Sequence, residues 1–287
     1  MDTTTHRILS LGAGVQSSVL ALMMARGETE PADAAIFADT GWEPQGVYDH
    51  LDWLEEQLPF PVHRTSIGHN LQDRVRTGHN HSGHKGHLDI PLYNLYPDGR
   101  VGFASRRQCT SQYKIFPIRR KIRELIGYPG QAYVPKSLTV YQAFGISTDE
   151  FTRMRMSDVK YIENVYPLIE MNMSRKDCLA WWDKHYKGRR LQKSACVGCP
   201  FRTYEEWVEV RDEHPEQFQE AVEIDAVIRN ASSETVPSFL HKRGVPLAEG
   251  VQIDAEWMEK TRHLQDDEDM QLAFPTWDEE CTGYCGV

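Results

Sequence analysis

The order of apolar and polar segments in the first 65 residues most constrains the fold of this chain. Short apolar runs at residues 6–11, 34–38 and 61–65 predict strands, and the segments between them, residues 17–26 and 47–57, predict helices. The run at 34–38, A-A-I-F-A, is apolar throughout, as expected of a strand buried in a parallel sheet. This alternation predicts an α/β fold in which a parallel, twisted sheet carries helices on both faces.

Residues 68–104 differ in composition from the segments on either side. They are rich in Gly, Asn and Asp, and they contain five histidines: His69, His79, His81, His84 and His87. Such a stretch predicts a flexible loop or lid. A metal site at the histidines is the alternative interpretation.

The remainder of the chain is predicted to be mainly helical. Helices are expected over 114–126, 174–185 and 203–230, and a strand over 134–144. The helix at Ser174 opens with the capping box S-R-K-D, whereas the last 50 residues look irregular. We therefore assign residues 1–170 to an α/β domain and residues 171–287 to a helical region with a cysteine-containing tail.

Composition limits the classes of function. The 287 residues are 40% hydrophobic and 26% charged, which is ordinary for a globular protein. No apolar run is long enough to span a membrane, and the N-terminus lacks the layout of a signal peptide, so we expect a cytoplasmic protein with no membrane partner. The net charge of −10 argues against broad nucleic-acid binding, although basic clusters at 119–123 and 189–190 allow a local patch.

The loop S-L-G-A-G-V-Q-S-S, between the first strand and the first helix, has the composition of an anion-binding turn. Gly12, Ala13 and Gly14 let the backbone approach a phosphate closely. The N–H groups at the start of the helix, near Ser17, attract anions, and the hydroxyl groups of Ser10 and Ser17 add donors. A tight turn that binds no ligand is the alternative interpretation.

A second loop, F-A-D-T-G-W-E-P, follows the second strand and carries Asp39 and Thr40. Together the two loops resemble those of the PP-loop superfamily of adenine-nucleotide α-hydrolases. Within it they resemble the branch of phosphoadenylylsulfate (PAPS) reductases and DNA-phosphorothioation sulfur-transfer enzymes. In this resemblance residues 12–17 occupy the register of the family's pyrophosphate loop, S-G-G-x-D-S. It implies a Rossmann-like fold with ATP or adenylylsulfate lying across both loops.

Two residues of the first loop depart from the ATP-splitting pattern. Val15 and Gln16 stand where that pattern has other residues, and Gln16 replaces an aspartate that is often associated with Mg²⁺. A G-I-Q variant of the loop occurs in PAPS reductases. The resemblance therefore leaves open whether the loop splits ATP, with Mg²⁺, or holds a ready-made adenylylsulfate.

Two further segments resemble motifs of the same superfamily. R-Q-C-T-S-Q-Y-K-I-F-P-I, residues 107–118, matches a family segment in which Lys114 is expected near phosphate or sulfate oxygens. G-I-S-T-D-E-F-T-R resembles the family's G-x-x-x-D-E-x-x-R loop, with Gly145 beside the nucleotide and Arg153 as a bidentate phosphate clamp. The alternative for the second segment is an ordinary helix start with acidic residues in its first turn.

The six cysteines indicate metal or redox chemistry, because disulfides are not expected in a reducing cytoplasm. Cys178 lies in an amphipathic segment and is expected in the core. Cys196 and Cys199 form a C-x-x-C pair, a spacing that zinc sites, iron–sulfur clusters and redox dithiols all use. Cys109 adds a third thiolate.

The resemblance favours a [4Fe–4S] cluster, with zinc as the alternative metal. Its ligands are expected to be Cys109, Cys196, Cys199 and, from the tail, Cys285, while Cys281 echoes the catalytic cysteine of the PAPS reductases. The fourth ligand stays open between Cys281, Cys285 and no protein ligand.

The resemblance implies an enzyme that adenylates an acceptor with ATP, releases pyrophosphate and transfers sulfur. The donor is expected to be a cysteine desulfurase or sulfide, and the acceptor a nucleic acid or a small molecule. Two alternatives remain: a reductase of adenylylsulfate or PAPS that releases sulfite, and a non-catalytic nucleotide-binding module with structural zinc. The sequence leaves the oligomeric state open.

Overall fold

The computed structural model describes residues 4–85, 88–104, 108–191, 193–231 and 236–261. Within these ranges the chain forms two compact units, and each unit is made of two separate segments. The first unit contains residues 4–70 and 110–194, and the second contains residues 71–109 and 195–261. A single division after residue 170 is predicted from the sequence, whereas the first unit continues to Ser194.

Strands and helices alternate along most of the described chain. The strands are β1 (Thr4–Ser10), β2 (Ala34–Ala38), β3 (Val62–Thr65), β4 (Leu92–Leu95), β5 (Val101–Ala104), β6 (Leu138–Phe144), β7 (Ile162–Val165) and β8 (Ser238–Phe239). The α-helices are α1 (Val15–Ala25), α2 (Gln45–Gln57), α3 (Leu71–Arg76), α4 (Phe116–Leu125), α5 (Pro167–Glu170), α6 (Arg175–His185), α7 (Tyr204–Glu213), α8 (Pro215–Ala231) and α9 (Leu247–Thr261). No helix in the described ranges is long and apolar enough to cross a membrane.

The first unit is built on a five-stranded parallel sheet of order β3-β2-β1-β6-β7. Side chains alternate across it, as the pleat requires. On one face Leu9 and Phe37 join a core that includes side chains of α1, α2 and α6. On the other face Ile8 and Ile36 pack with Ile122 of α4. The predicted α/β fold, with a parallel sheet flanked by helices, is confirmed.

Helix α1 is buried along nearly its whole length, and a polar contact ties it to α2. Ser18 Oγ lies 2.9 Å from His50 Nε2, and both residues are almost fully buried. The His50 ring also packs against two indole rings, with centroids 5.7 Å from Trp53 and 5.8 Å from Trp182. This arrangement holds an imidazole in a site where its charged form is disfavoured.

We expect His50 to make the stability of the first unit depend on pH. Burial, followed by the positive charge of Arg189, lowers the pKa of His50 from 6.5 to about 4. The unfolded chain therefore binds the proton first, and stability is lost as the pH falls from about 6.5 towards 4, by up to about 3 kcal/mol. Urea unfolding at pH 7 and pH 5 should show a loss about 2 kcal/mol larger for the native chain than for His50→Gln. Equal losses in the two proteins would contradict this assignment.

The second unit contains a small antiparallel sheet of order β5-β4-β8 together with α3, α7, α8 and α9. Tyr93 in β4 pairs with Phe239 in β8, which explains why residues 71–109 belong with the C-terminal half of the chain. The segment predicted as a loop or lid thus contains a short helix and two strands.

Helix α9 lies within the last 50 residues, where the sequence analysis expected irregular structure; that expectation is wrong for residues 247–261. Its buried positions are Leu247, Gly250, Val251 and Asp254, which follow the helical repeat. A glycine and an aspartate occupy two of these four positions, so the apolar pattern that would have revealed the helix is absent.

Candidate functional site

The carboxyl ends of β1 and β6 are the place where the topology of the first unit predicts a ligand site. β1 pairs with β2 on one side and with β6 on the other, so the connections that leave β1 and β6 diverge at this point. Parallel α/β sheets bind ligands at such a switch point. The loop that follows β1 and the loop that begins at Gly145 both start here, and both contain residues predicted to bind a nucleotide.

Gly145 lies directly against the first turn of α1. A Cβ atom added at Gly145 would stand 2.5 Å from Ser17 Cα and 2.6 Å from Ser17 N. The atoms it would meet are backbone atoms of a buried helix, so no side-chain rotation could relieve the overlap. The loop after β6 can therefore approach the start of α1 this closely only because residue 145 is a glycine.

The backbone before α1 has an unusual conformation. Ala13 has a φ of 54°, in the left-handed region that residues other than glycine adopt infrequently, and Gly14 caps the helix without a side chain. Ser17 Oγ donates a hydrogen bond to the Gly14 carbonyl at 3.3 Å, and Ser10 is buried. An anion at this helix start would therefore be bound mainly by backbone N–H groups, and less by the hydroxyl groups predicted from the sequence.

Gln16 is buried, and its amide is bound by residues that are distant in sequence. Arg175 Nη1 donates to Gln16 Oε1 at 3.3 Å, and Gln16 Nε2 donates to Ser147 Oγ at 3.4 Å. The side chain therefore links α1 to the loop after β6 and to the start of α6. Sequence reasoning missed Ser147 and Arg175, because no local pattern connects either residue to Gln16.

The loop after β2 uses its polar side chains to fix its own shape. Asp39 Oδ1 accepts hydrogen bonds from Gly41 N at 2.7 Å and from Tyr48 Oη at 2.8 Å. Burial, followed by the hydrogen bond to Asp39, raises the pKa of Tyr48 well above its ordinary value. Thr40 Oγ1 donates to Glu43 Oε1 at 3.2 Å.

The two predicted phosphate-binding cations both have carboxylate neighbours in the structure. Lys114 is buried, with its Nζ 3.7 Å from Glu43 Oε1. It lies in a π-helical turn, Ser111–Ile115, a rare conformation that often occurs at functional sites. Arg153 forms an ion pair with Glu150. A phosphate would have to share each cation with its carboxylate partner.

The C-x-x-C pair lies in a tight turn of the second unit. Cys199 N donates to the Cys196 carbonyl at 3.1 Å. Arg202 is only 7% exposed. Its guanidinium group donates to three carbonyls of this turn: Ala195 at 3.2 Å, Cys196 at 3.2 Å and Val197 at 3.3 Å. Arg202 thus holds the turn in shape, and sequence reasoning did not identify it.

The structure places Cys109 in the second unit as well. Within the described ranges, no group of three or more His, Cys, Asp or Glu side chains is arranged to hold a metal ion. Cys281 and Cys285 lie outside the described residues, so the predicted iron–sulfur cluster, with its fourth ligand, stays a prediction. Cys178 is buried in the core as predicted, and burial raises the pKa of its thiol to about 12.

Comparison with models of protein families and with curated proteins gives no match. One solved structure that resembles this chain is a phosphoadenylyl-sulfate (PAPS) reductase from Candida auris, in complex with phosphate. The two chains share 11% sequence identity over 67% of this chain and 75% of the other, with a TM-score of 0.41. A likeness this distant carries no argument about function.

Proposed function

We propose that the first unit binds an adenine nucleotide at the carboxyl ends of β1 and β6. The observation that carries this proposal is the close packing of Gly145 against the Ser17 backbone at the switch point of the sheet, where an added Cβ would lie 2.5 Å from Ser17 Cα. The start of α1, whose N–H groups have no capping side chain, lies at this switch point. Such a helix start suits a pyrophosphate group.

The reaction we propose is ATP-dependent sulfur transfer. An oxygen of the acceptor attacks the α-phosphorus of ATP, the bond to the β-phosphate breaks, and pyrophosphate leaves. Hydrosulfide then attacks the carbon that carries the adenylated oxygen, the carbon–oxygen bond breaks, and AMP leaves with that oxygen. Lys114 and Arg153 would stabilise the negative charge that develops on the phosphate oxygens during this reaction.

The cysteines of the second unit suit the handling of sulfur. Cys196 and Cys199 lie in a turn that Arg202 holds in shape, and Cys109 belongs to the same unit. A [4Fe–4S] cluster, or zinc as the alternative, would need Cys285 and also a closer approach of Cys109 to the pair, because the three described thiols do not form a metal-binding group. A bound cluster would supply a site for activated sulfide, and Cys281 would act as a nucleophile or resolving thiol.

One observation favours a second candidate, a reductase of adenylylsulfate or PAPS. Gln16, a neutral amide, is buried and bound to Ser147 and Arg175, at the position where the ATP-splitting pattern has an aspartate. An adenylylsulfate needs no Mg²⁺-assisted loss of pyrophosphate, so a neutral residue would suffice for it. A cysteine thiolate would attack the sulfate sulfur, the bond from that sulfur to the bridging oxygen would break, and AMP, or adenosine 3′,5′-bisphosphate from PAPS, would leave. A dithiol would then attack the cysteine sulfur of the resulting S-sulfonate, sulfite would leave, and the dithiol would end as a disulfide.

Parallel turnover assays separate these functions. The protein, purified without oxygen, is incubated with ATP, sulfide and tRNA or DNA, and pyrophosphate and AMP are measured. A second assay uses adenylylsulfate with a dithiol and measures sulfite. Pyrophosphate and AMP in equal amounts are expected from the native chain and from Cys178→Ala. In Cys196→Ser and Cys199→Ser, AMP release should be lost and pyrophosphate should stop at one equivalent of adenylated acceptor.

Three outcomes would overturn the proposal. Sulfite from adenylylsulfate without pyrophosphate from ATP would favour the reductase. A colourless protein with stoichiometric zinc and no turnover would favour a binding module. Failure to bind either nucleotide in calorimetric titrations would exclude the nucleotide site itself.

A further inference from the structure

A second cleft lies beside the C-x-x-C turn, wholly within the second unit. It has a volume of about 210 Å³, and its lining includes Tyr93, Pro200, Phe201, Arg202, Tyr204 and Lys242. Pro200 directly follows Cys199, so one wall of the cleft continues the turn that carries the two thiols. The nucleotide crevice of the first unit uses none of these residues.

Aromatic rings build the apolar part of this cleft. The rings of Tyr93 and Phe103 pack edge to face with centroids 5.5 Å apart, and those of Phe103 and Phe201 are 5.3 Å apart. The three rings belong to β4, to β5 and to the segment after the C-x-x-C pair. Tyr93 and Phe201 line the cleft, and Phe103 packs against both of them, which limits their freedom to rearrange.

Positive charge and buried hydrogen bonds build the polar part. Lys242 Nζ lies 3.5 Å from the centre of the Tyr204 ring. That ring stacks on His241 at 6.0 Å, and His241 Nε2 lies 2.8 Å from Asp254 Oδ2 in a fully buried pair. The buried pair anchors His241, and Arg243 Nε donates to Asp254 Oδ1 at 2.7 Å, so the backbone on both sides of Lys242 is fixed.

We propose that this cleft binds one nucleobase of a nucleotide unit, with the base against Phe201 and the attached phosphate near Lys242. Stacking on aromatic rings combined with cationic contacts is how proteins hold unpaired bases. The volume is below the range for drug-sized ligands, which suits a single ring system with its sugar and phosphate outside. That this base is also the sulfur acceptor rests on the proposed function.

Recognition of one base also agrees with the charge of the protein. The net charge of −10 opposes binding that depends on tracking many phosphates. A cleft that gains its affinity from one stacked ring and one cation needs no extended basic surface. The proposal therefore predicts weak dependence on salt compared with proteins that bind nucleic acid through many phosphates.

The test is direct binding, measured without turnover. Calorimetry measures the affinity for the free nucleotides CMP, GMP and UMP. Fluorescence anisotropy measures the affinity for labelled single-stranded RNA and DNA. Comparison of the two distinguishes free nucleotides from nucleic acid as the source of the base. Phe201→Ala and Lys242→Ala are each expected to weaken binding about tenfold or more. The matched controls are Tyr133→Ala, an exposed aromatic of the first unit, and Lys260→Ala, an exposed lysine of α9; both should bind like the native chain.

Each outcome has a defined meaning. Binding that is unchanged in Phe201→Ala, or that falls equally in the controls, would overturn the proposal, as would no binding of any probe by the native chain. Binding that persists in Gly145→Ala supports it, because that change alters only the crevice of the first unit. Phe201-dependent binding without ATP turnover would support this inference and contradict the proposed reaction. ATP turnover without Phe201-dependent binding would support the reaction and contradict this inference.

Discussion

Replacement of Gly145 with alanine should weaken adenine-nucleotide binding and slow turnover about a hundredfold, because a misplacement near 1 Å at a reacting site has that effect on rate. The new methyl group would overlap the Ser17 backbone, at 2.5 Å from its Cα and 2.6 Å from its N. Because α1 is packed in the core on nearly all sides, the loop after β6 must move away. Overpacking of this kind also lowers the free energy of unfolding by about 1–3 kcal/mol. Calorimetric titration with ATP and with adenylylsulfate measures the loss of affinity.

Gly127→Ala is the matched control for this change. Gly127 lies in the same unit, and a Cβ atom there would meet nothing within 4 Å, although its φ of 81° still disfavours alanine. The control therefore carries backbone strain without the overlap, and it should bind nucleotide like the native chain. Thermal melting followed by circular dichroism shows whether each variant is folded at the titration temperature. Native affinity in folded Gly145→Ala would remove the main support for the nucleotide site.

Replacement of Asp225 with alanine should lower the free energy of unfolding by about 3–5 kcal/mol. Asp225 is fully buried in the second unit, where Oδ1 accepts from Leu240 N at 2.8 Å and Oδ2 accepts from Leu247 N at 3.0 Å. Oδ2 also pairs with the guanidinium group of Arg229. Without the carboxylate, two buried N–H groups and one cation lose their acceptor.

Urea unfolding monitored by circular dichroism measures this effect. Asp225→Asn retains one oxygen acceptor and should fall between the alanine variant and the native chain. Asp212→Ala is the surface control, because Asp212 is exposed and its only described ion pair is with the neighbouring Arg211. Its effect should stay within about 0.5 kcal/mol. A loss of less than about 1 kcal/mol for Asp225→Ala would show that other groups anchor β8 and α9.

Much of the first unit could be predicted because local signals were strong. The apolar run at 34–38 coincides with β2, and the capping box at Ser174 is present, with Asp177 completing it. The second unit could not be predicted in this way. Its sheet pairs Asn94 with Ser238, so no window of sequence contains both partners. Asp254 on the buried face of α9 also hides the helical repeat.

The candidate sites show the same limit. The sequence placed Gly145 beside a nucleotide by resemblance, and that stays a prediction. The structure shows why residue 145 is a glycine, because an added Cβ would overlap the Ser17 backbone. Gln16 was singled out for what it replaces, yet its partners Ser147 and Arg175 became evident only in three dimensions. The Glu43 neighbour of Lys114 was missed because the two residues are far apart in sequence and meet only in the assembled fold. Glu150, three residues before Arg153, has a local spacing that the sequence could have indicated.

The division of the second unit into two distant segments has a consequence for synthesis on the ribosome. All described segments of the first unit have left the ribosome once residue 194 has emerged. In contrast, β4 cannot pair with β8 until β8 has emerged, more than a hundred residues later in the chain. During that interval β4 and β5 would expose an unpaired edge and their aromatic rings. Nascent chains halted between residues 194 and 238 should therefore be the most prone to aggregate and the most dependent on chaperones.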